Sequence, residues 1–258
     1  MMFMPKIIGF VCNWSLPAEV ELTSPTRIHG YPKIHIVRVM CVGRIDPAIV
    51  LETLAKGADG VLVIGCHPPD CHYIEGNLQA EWKIKMLKKL ISQAGLEPER
   101  LRLDWTYTFE IERFAKIVND FRNKVRALGP SPLGVGSLDA NMFLNINAAK
   151  SAAEDFRLRV MVGREELLIE DGNVYGEEVS QEEFDEIMDE AINSEYIRNR
   201  IYLMVKKEPL SVKDLSKHLG VDSRTVLGHI VVMRQRGWVT VDRVEGTSPL
   251  YTALEVGR

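Results

Sequence analysis

Four short apolar runs in the first half of the chain have the length and composition of strands: KIIGFV at Lys6–Val11, IHIVRVM at Ile34–Met40, GVLVI at Gly60–Ile64 and LRLDW at Leu101–Trp105. Apolar residues then recur at steps of three and four, which predicts helices over Pro47–Lys56, Asn77–Ala94 and Glu110–Leu128. Asp46 can cap the first, and Gly57 and Gly95 stand where helices stop. Strand and helix in alternation predict a parallel sheet covered on both faces, a small flavodoxin-like α/β domain over residues 1–130.

Beyond residue 130 the pattern changes. GPSPLGVGS at 129–137 has neither GxGxxG nor a Walker lysine and reads as a linker. Residues 131–193 are expected to hold that linker and an acidic segment, with a hairpin formed by Phe156–Val162, a turn at Asp171–Gly172 and Val174–Tyr175. One or two helices should follow from Ser180, opening on a capping box. Residues 194–258 predict an α+β unit with helices over Arg198–Val205, 211–220 and 222–237, then two strands around a turn at Gly246.

Charge supports the same division. Residues 1–138 hold 17 basic and 14 acidic residues, 139–194 hold 4 and 15, and 195–258 hold 11 and 7. With 258 residues, 46% hydrophobic and a net charge of −4, the chain has the composition of an ordinary globular protein. No run approaches the roughly 18 to 20 apolar residues of a membrane span, and the N-terminal stretch lacks a small-residue cleavage site, so a cytoplasmic location without membrane association is expected.

In that compartment thiols stay reduced, so four cysteines suggest ligands or catalysts before disulfides. Cys12, Cys41 and Cys66 each fall at or just past the end of a predicted strand, where open parallel sheets bind ligands, and Cys71 can return to the same edge. Pro68 and Pro69 stiffen the loop between the last two. The spacing C-x28-C-x24-C-x4-C contains no C-x2-C knuckle, which favours an iron–sulfur cluster over structural zinc; partly buried, unligated thiols also stay open.

The strings CNW at 12–14, RVMCVGRIDP at 38–47, GADGVLVIGCHPPDCHYIEGN at 57–77 and LEPERLRLDW at 96–105 resemble the delta subunit family of methyl-viologen-reducing hydrogenase, across about half the chain. The resemblance implies a 2Fe-2S protein that passes electrons from a hydrogenase or a formate dehydrogenase to the flavin-bearing subunit of heterodisulfide reductase. It carries the ligand role to Cys12, Cys41, Cys66 and Cys71. Two positions depart from the family pattern: Ser15 stands where a cysteine is usual, and Pro69 where glycine is common.

Around these cysteines, His67 and His72 raise a Rieske-like alternative, in which histidines replace two thiolates. Arg38 and Arg44 are candidates to pair with cluster charge or with a partner's carboxylate, and exposed salt bridges are the plainer reading. Trp14 would shield the cluster or pack in the core. No catalytic constellation is evident, which suggests transfer of electrons rather than transformation of a substrate.

At the C-terminus, LSKHLGVDSRTV at 215–226 and RGWV at 236–239 resemble the winged helix-turn-helix family. That likeness opens a second reading, a cluster-containing regulator that binds DNA through Ser223, Arg224, Thr225, His229 and Arg243. The modest charge and the acidic Asp222 at the helix start favour protein docking instead.

Overall fold

The computed structural model describes residues 3–17, 34–134 and 139–255. Four parallel strands, β1 (Ile7–Cys12), β2 (His35–Val39), β3 (Gly60–Gly65) and β4 (Leu101–Trp105), form a sheet in the order β2-β1-β3-β4. Helices α1 (Pro47–Ala55), α2 (Gly76–Gln93) and α3 (Ile111–Leu128) cover it. Every residue of β3 is buried, as a strand covered on both faces requires.

Side chains on the central strands alternate between two cores. Phe10, Cys12, Val61 and Val63 face α1 and α2, whereas Ile7, Val11, Leu62 and Ile64 face Phe114, Val118 and Phe121 of α3. The chain crosses from β1 outward to β2 and then back past β1 to β3. This reversal puts a crevice at the carboxyl ends of β1 and β3.

The acidic middle is helical: α4 (Ala140–Ala153), α5 (Phe156–Gly163) and α6 (Glu165–Glu170) lead to the 27-residue α7 (Gln181–Lys207). The hairpin expected from Phe156 to Tyr175 does not form. Asp155 caps α5 by accepting from the Arg157 amide, and Leu158 and Val162, one turn apart, are buried on α5. A four-residue apolar step is a helical period, and the buried core beside α2 rewards it. Gly172 does adopt the left-handed conformation of a turn, at φ 79°. Ala148, Ala149, Ala152 and Ala153 of α4 lie buried in the core shared with α1 and α2. Residues 135–138 of the expected linker lie outside the described residues.

The first half of α7 buries Phe184, Met188 and Ile192 in that core, and its second half buries Ile197, Ile201 and Val205 in another. The second core is closed by α8 (Val212–Leu219), α9 (Ser223–Gln235) and an antiparallel sheet of β5 (Leu210–Ser211), β7 (Ser248–Ala253) and β6 (Val239–Glu245). Ser211 and Asp214 form the expected capping box, and Asp222 caps α9. Among the described residues, no helix is long and apolar enough to cross a membrane.

Candidate metal centre

The strand order alone brings the first two thiols together. Cys12 ends β1, Cys66 directly follows the neighbouring β3, and their sulfurs lie 3.8 Å apart in almost fully buried residues. The Cys12 thiol is also within 3.4 Å of the Met40 carbonyl, which it can donate to. The hydrogen bond between the two cysteines splits their acidities: it pushes Cys12 up, with burial adding to the rise, and holds Cys66 below the ordinary thiol range.

Cys41 and Cys71 meet at the start of α2. Cys41 begins the 3-10 turn Val42–Arg44, where the Arg44 amide donates to its carbonyl at 3.1 Å. Cys71 sits in a tight loop closed by the Ile74 amide donating to its carbonyl at 2.9 Å, with Ile74 itself at φ 68°. A Cβ on Gly76, the first residue of α2, would stand 2.3 Å from Cys41 Sγ and 3.3 Å from Cys71 Sγ, so the absent side chain is what lets both sulfurs reach the helix end. The turn is seated equally closely: a Cβ on Gly43 would strike the Gly76 carbonyl oxygen at 2.4 Å, and Lys83 Nζ donates to the Gly43 carbonyl at 2.5 Å. Burial pushes the Cys41 thiol up, and its contact with Cys71 adds to the rise.

The four thiols therefore form one chain of contacts, Cys12 with Cys66, Cys66 with Cys71 and Cys71 with Cys41. Among the described residues, no three or more His, Cys, Asp or Glu side chains are grouped in a geometry that holds a single metal ion. The donor set, four sulfurs at a sheet edge, two of them beside a glycine cradle, fits a sulfur-ligated cluster in its chemistry. Beside the cradle, the buried Asn77 Nδ2 has no hydrogen-bond partner among the described residues.

Aromatic and polar side chains make the rim. Trp14 is 45% exposed and stacks on His72, with ring centroids 3.7 Å apart, so it covers the loop rather than packing in a core. His67 Nε2 lies 3.0 Å from Glu110, and the His67 ring stacks on Tyr107, whose hydroxyl donates to Asp70 at 2.6 Å. The Tyr107 amide holds the Glu110 carboxyl below its usual range, and His67 adds to that. Both histidines of the Rieske-like alternative are thus engaged in the rim. Arg38 donates to Asn13, and Arg44 lines a cleft with Asp46, Lys83 and Arg159. Ser15 is buried, and its hydroxyl lies 3.3 and 3.2 Å from the Cys12 and Ile64 carbonyls. The residues that sequence reasoning passed over are Gly76, Asn77, Tyr107 and Glu110; only the glycine directly ahead of the predicted helix was a usable signal.

The five candidate DNA contacts do not build a cationic face. Thr225 Oγ1 donates to Asp222 at 2.6 Å, and Arg243 is occupied by Asp242 and Glu245 at 2.8 and 2.9 Å. His229 is half-buried, and burial together with Arg198 lowers its pKa. Ser223 and Arg224 are exposed at the start of α9, where Leu227 and Val231 are exposed as well.

A parallel sheet with four cysteines gathered at its carboxyl edge defines an α/β protein with a thiol cluster, and comparison narrows the class. The family model described as methyl-viologen-reducing hydrogenase, delta subunit, matches residues 7–129, and the chain belongs to that family. It is 40% identical over 137 residues to the vhc iron-sulfur subunit of the F420-non-reducing hydrogenase of Methanococcus voltae, covering 52% of this chain and 95% of the relative. The iron-sulfur subunit of the F420-non-reducing hydrogenase of Archaeoglobus profundus is 42% identical over 126 residues, 49% of this chain and 92% of the relative. One subunit of the ferredoxin:CoB-CoM heterodisulfide reductase of Methanosarcina mazei is 44% identical over 126 residues, 49% of this chain, and the match spans only 16% of that longer relative.

Proposed function

We propose that this chain is an electron-transfer subunit that holds a 2Fe-2S cluster on Cys12, Cys41, Cys66 and Cys71. The observation that carries this reading is the gathering of all four thiols at one sheet edge, the number of thiolates that a binuclear cluster with four cysteine ligands takes. Cys12 with Cys66 would hold one iron, and Cys41 with Cys71 the other. The cluster, when bound, supplies reversible one-electron storage.

The surrounding residues have separable tasks. Gly76 gives the sulfurs room, and the Trp14–His72 stack limits access of water to the loop. The exposed Met40, Tyr73, Ile74 and Phe109 surround the same pole and offer an apolar surface for a protein partner. The relatives' names, a hydrogenase and a heterodisulfide reductase, support partners of those two kinds; in this proposal a hydrogenase, or a formate dehydrogenase in its place, is the electron source and the flavin-bearing component of heterodisulfide reductase the acceptor.

Residues 1–130 form the cluster-bearing domain in this proposal. Residues 194–258 form a winged helix that serves assembly, joined through the acidic helices between. The neutralised Arg243 and the exposed Leu227 and Val231 on α9 support protein contact over DNA.

Anaerobic purification followed by iron and acid-labile sulfide analysis, with EPR of the reduced protein, tests the proposal. Equal amounts of iron and sulfide and the signal of a reduced binuclear cluster are expected. Zinc, or no metal, overturns it.

A further inference from the structure

One buried polar group beside the thiols lacks a partner. Asn77 is 1% exposed; its Oδ1 accepts from the Leu78 amide at 2.9 Å, yet its Nδ2, equally buried, has no hydrogen-bond partner among the described residues. Buried donors in folded proteins are nearly always paired, so an orphan marks a missing acceptor.

Its place in the fold says where that acceptor lies. The amide hydrogens of a helix's first turn point toward its amino end. By capping the Leu78 amide, Oδ1 turns the whole side-chain amide back over the amino end of α2. That is the end where Gly76 adjoins the sulfurs of Cys41 and Cys71. Among the described residues no cysteine sulfur is a hydrogen-bond partner of Nδ2, so the acceptor chemistry left at that end is the inorganic sulfide that the thiols would hold. The positive end of the helix dipole favours negative charge at the same point.

We infer that Asn77 Nδ2 donates a hydrogen bond to an inorganic sulfide of the proposed cluster and thereby raises its reduction potential. The inference rests on the cluster assignment above. An N–H donor stabilises the reduced form, which carries one more negative charge, more than the oxidised form, so the potential rises with the bond and falls without it. Asn77 is a positioning and tuning residue, and the cysteines alone bind the metal.

The test is a potentiometric titration of the full chain, read by EPR, for the wild type and for Asn77→Leu and Asn77→Ala, both of which remove the donor. Each variant is expected to load iron and sulfide as the wild type does. Its one-electron reduction equilibrium should shift about tenfold toward the oxidised form, which is about 59 mV for a one-electron couple. An unchanged potential in the variants overturns the inference. So does loss of the cluster from both, because a donor that only tunes the potential is dispensable for loading. A wild-type chain without iron overturns the cluster assignment instead, so the two failures are distinguishable.

Discussion

Cys12 Sγ and Cys66 Sγ lie 3.8 Å apart although 54 residues separate them in the chain. Their closeness follows from the pairing of β1 with β3, which aligns Val11 with Ile64 and puts the carboxyl ends of both strands at one crevice. A sulfur–sulfur contact built by two central strands is rigid, and the loops that carry Cys41 and Cys71 close onto it.

Removing one of these central sulfurs tests the ligand set most directly. Cys66→Ala is expected to abolish iron and acid-labile sulfide in the purified protein while leaving the far-UV circular dichroism of the sheet and helices in place. Ser15→Cys restores the thiol usual in the family without offering a needed ligand. It should leave iron content unchanged and cost about 1 kcal/mol of stability for the lost hydroxyl contacts. Loss of iron on Ser15→Cys would count against the four-cysteine set.

Gly76 separates metal loading from folding. A methyl group there enters the space of the Cys41 and Cys71 sulfurs, so Gly76→Ala is expected to lower iron content severalfold. The same change should cost the apo chain little, because without metal the Cys41 sulfur is free to swing to another rotamer and alanine in a helix is favoured over glycine by roughly 0.5–1 kcal/mol. Iron analysis and apo-protein melting, made side by side, read the two effects.

Gly43→Ala should behave differently, since its Cβ strikes the Gly76 backbone rather than a side chain. Displacing a packed turn from a helix end costs about 1–3 kcal/mol, so denaturant unfolding of the apo chain should show a loss in that range. A variant as stable as the wild type would show that the contact is easily relaxed.

A buried charge cluster joins the acidic helices to the C-terminal unit. Glu195 is fully buried on α7 and accepts from Arg198 at 2.5 Å and from Arg236, which follows α9, at 3.1 and 3.2 Å. Glu195→Ala leaves Arg198 buried without its carboxylate and should cost about 3–5 kcal/mol in denaturant unfolding. A loss below about 1 kcal/mol would mean that the arginines find water or other acceptors.

The C-terminal unit is expected not to bind DNA. Full-length protein should give no salt-dependent shift of duplex DNA in a gel, because Arg243 is already paired with Asp242 and Glu245. A shift that weakens steeply with added salt would favour the regulator.

Much of the architecture could be read in advance because short-range patterns carry it. The four strands, the three covering helices and the caps at Asp46, Ser211 and Asp222 follow from local periodicity and capping chemistry. The hairpin expected near Phe156 failed for a long-range reason. The string FRLRVMV suits either a strand or a helix in isolation, and Asp155 together with the core beside α2 selected the helix.

By itself the sequence determined the alternation of strand and helix, the number of thiols and their positions at strand ends, all of which are properties of neighbouring residues. Only the tertiary structure decided which thiols meet. The order β2-β1-β3-β4 sets Cys12 against Cys66, and the docking of the Cys41 turn onto Gly76 brings Cys41 to Cys71. The physical reason is that strand order and helix docking are set by burial of surfaces far apart in the chain, and no local pattern encodes that distance.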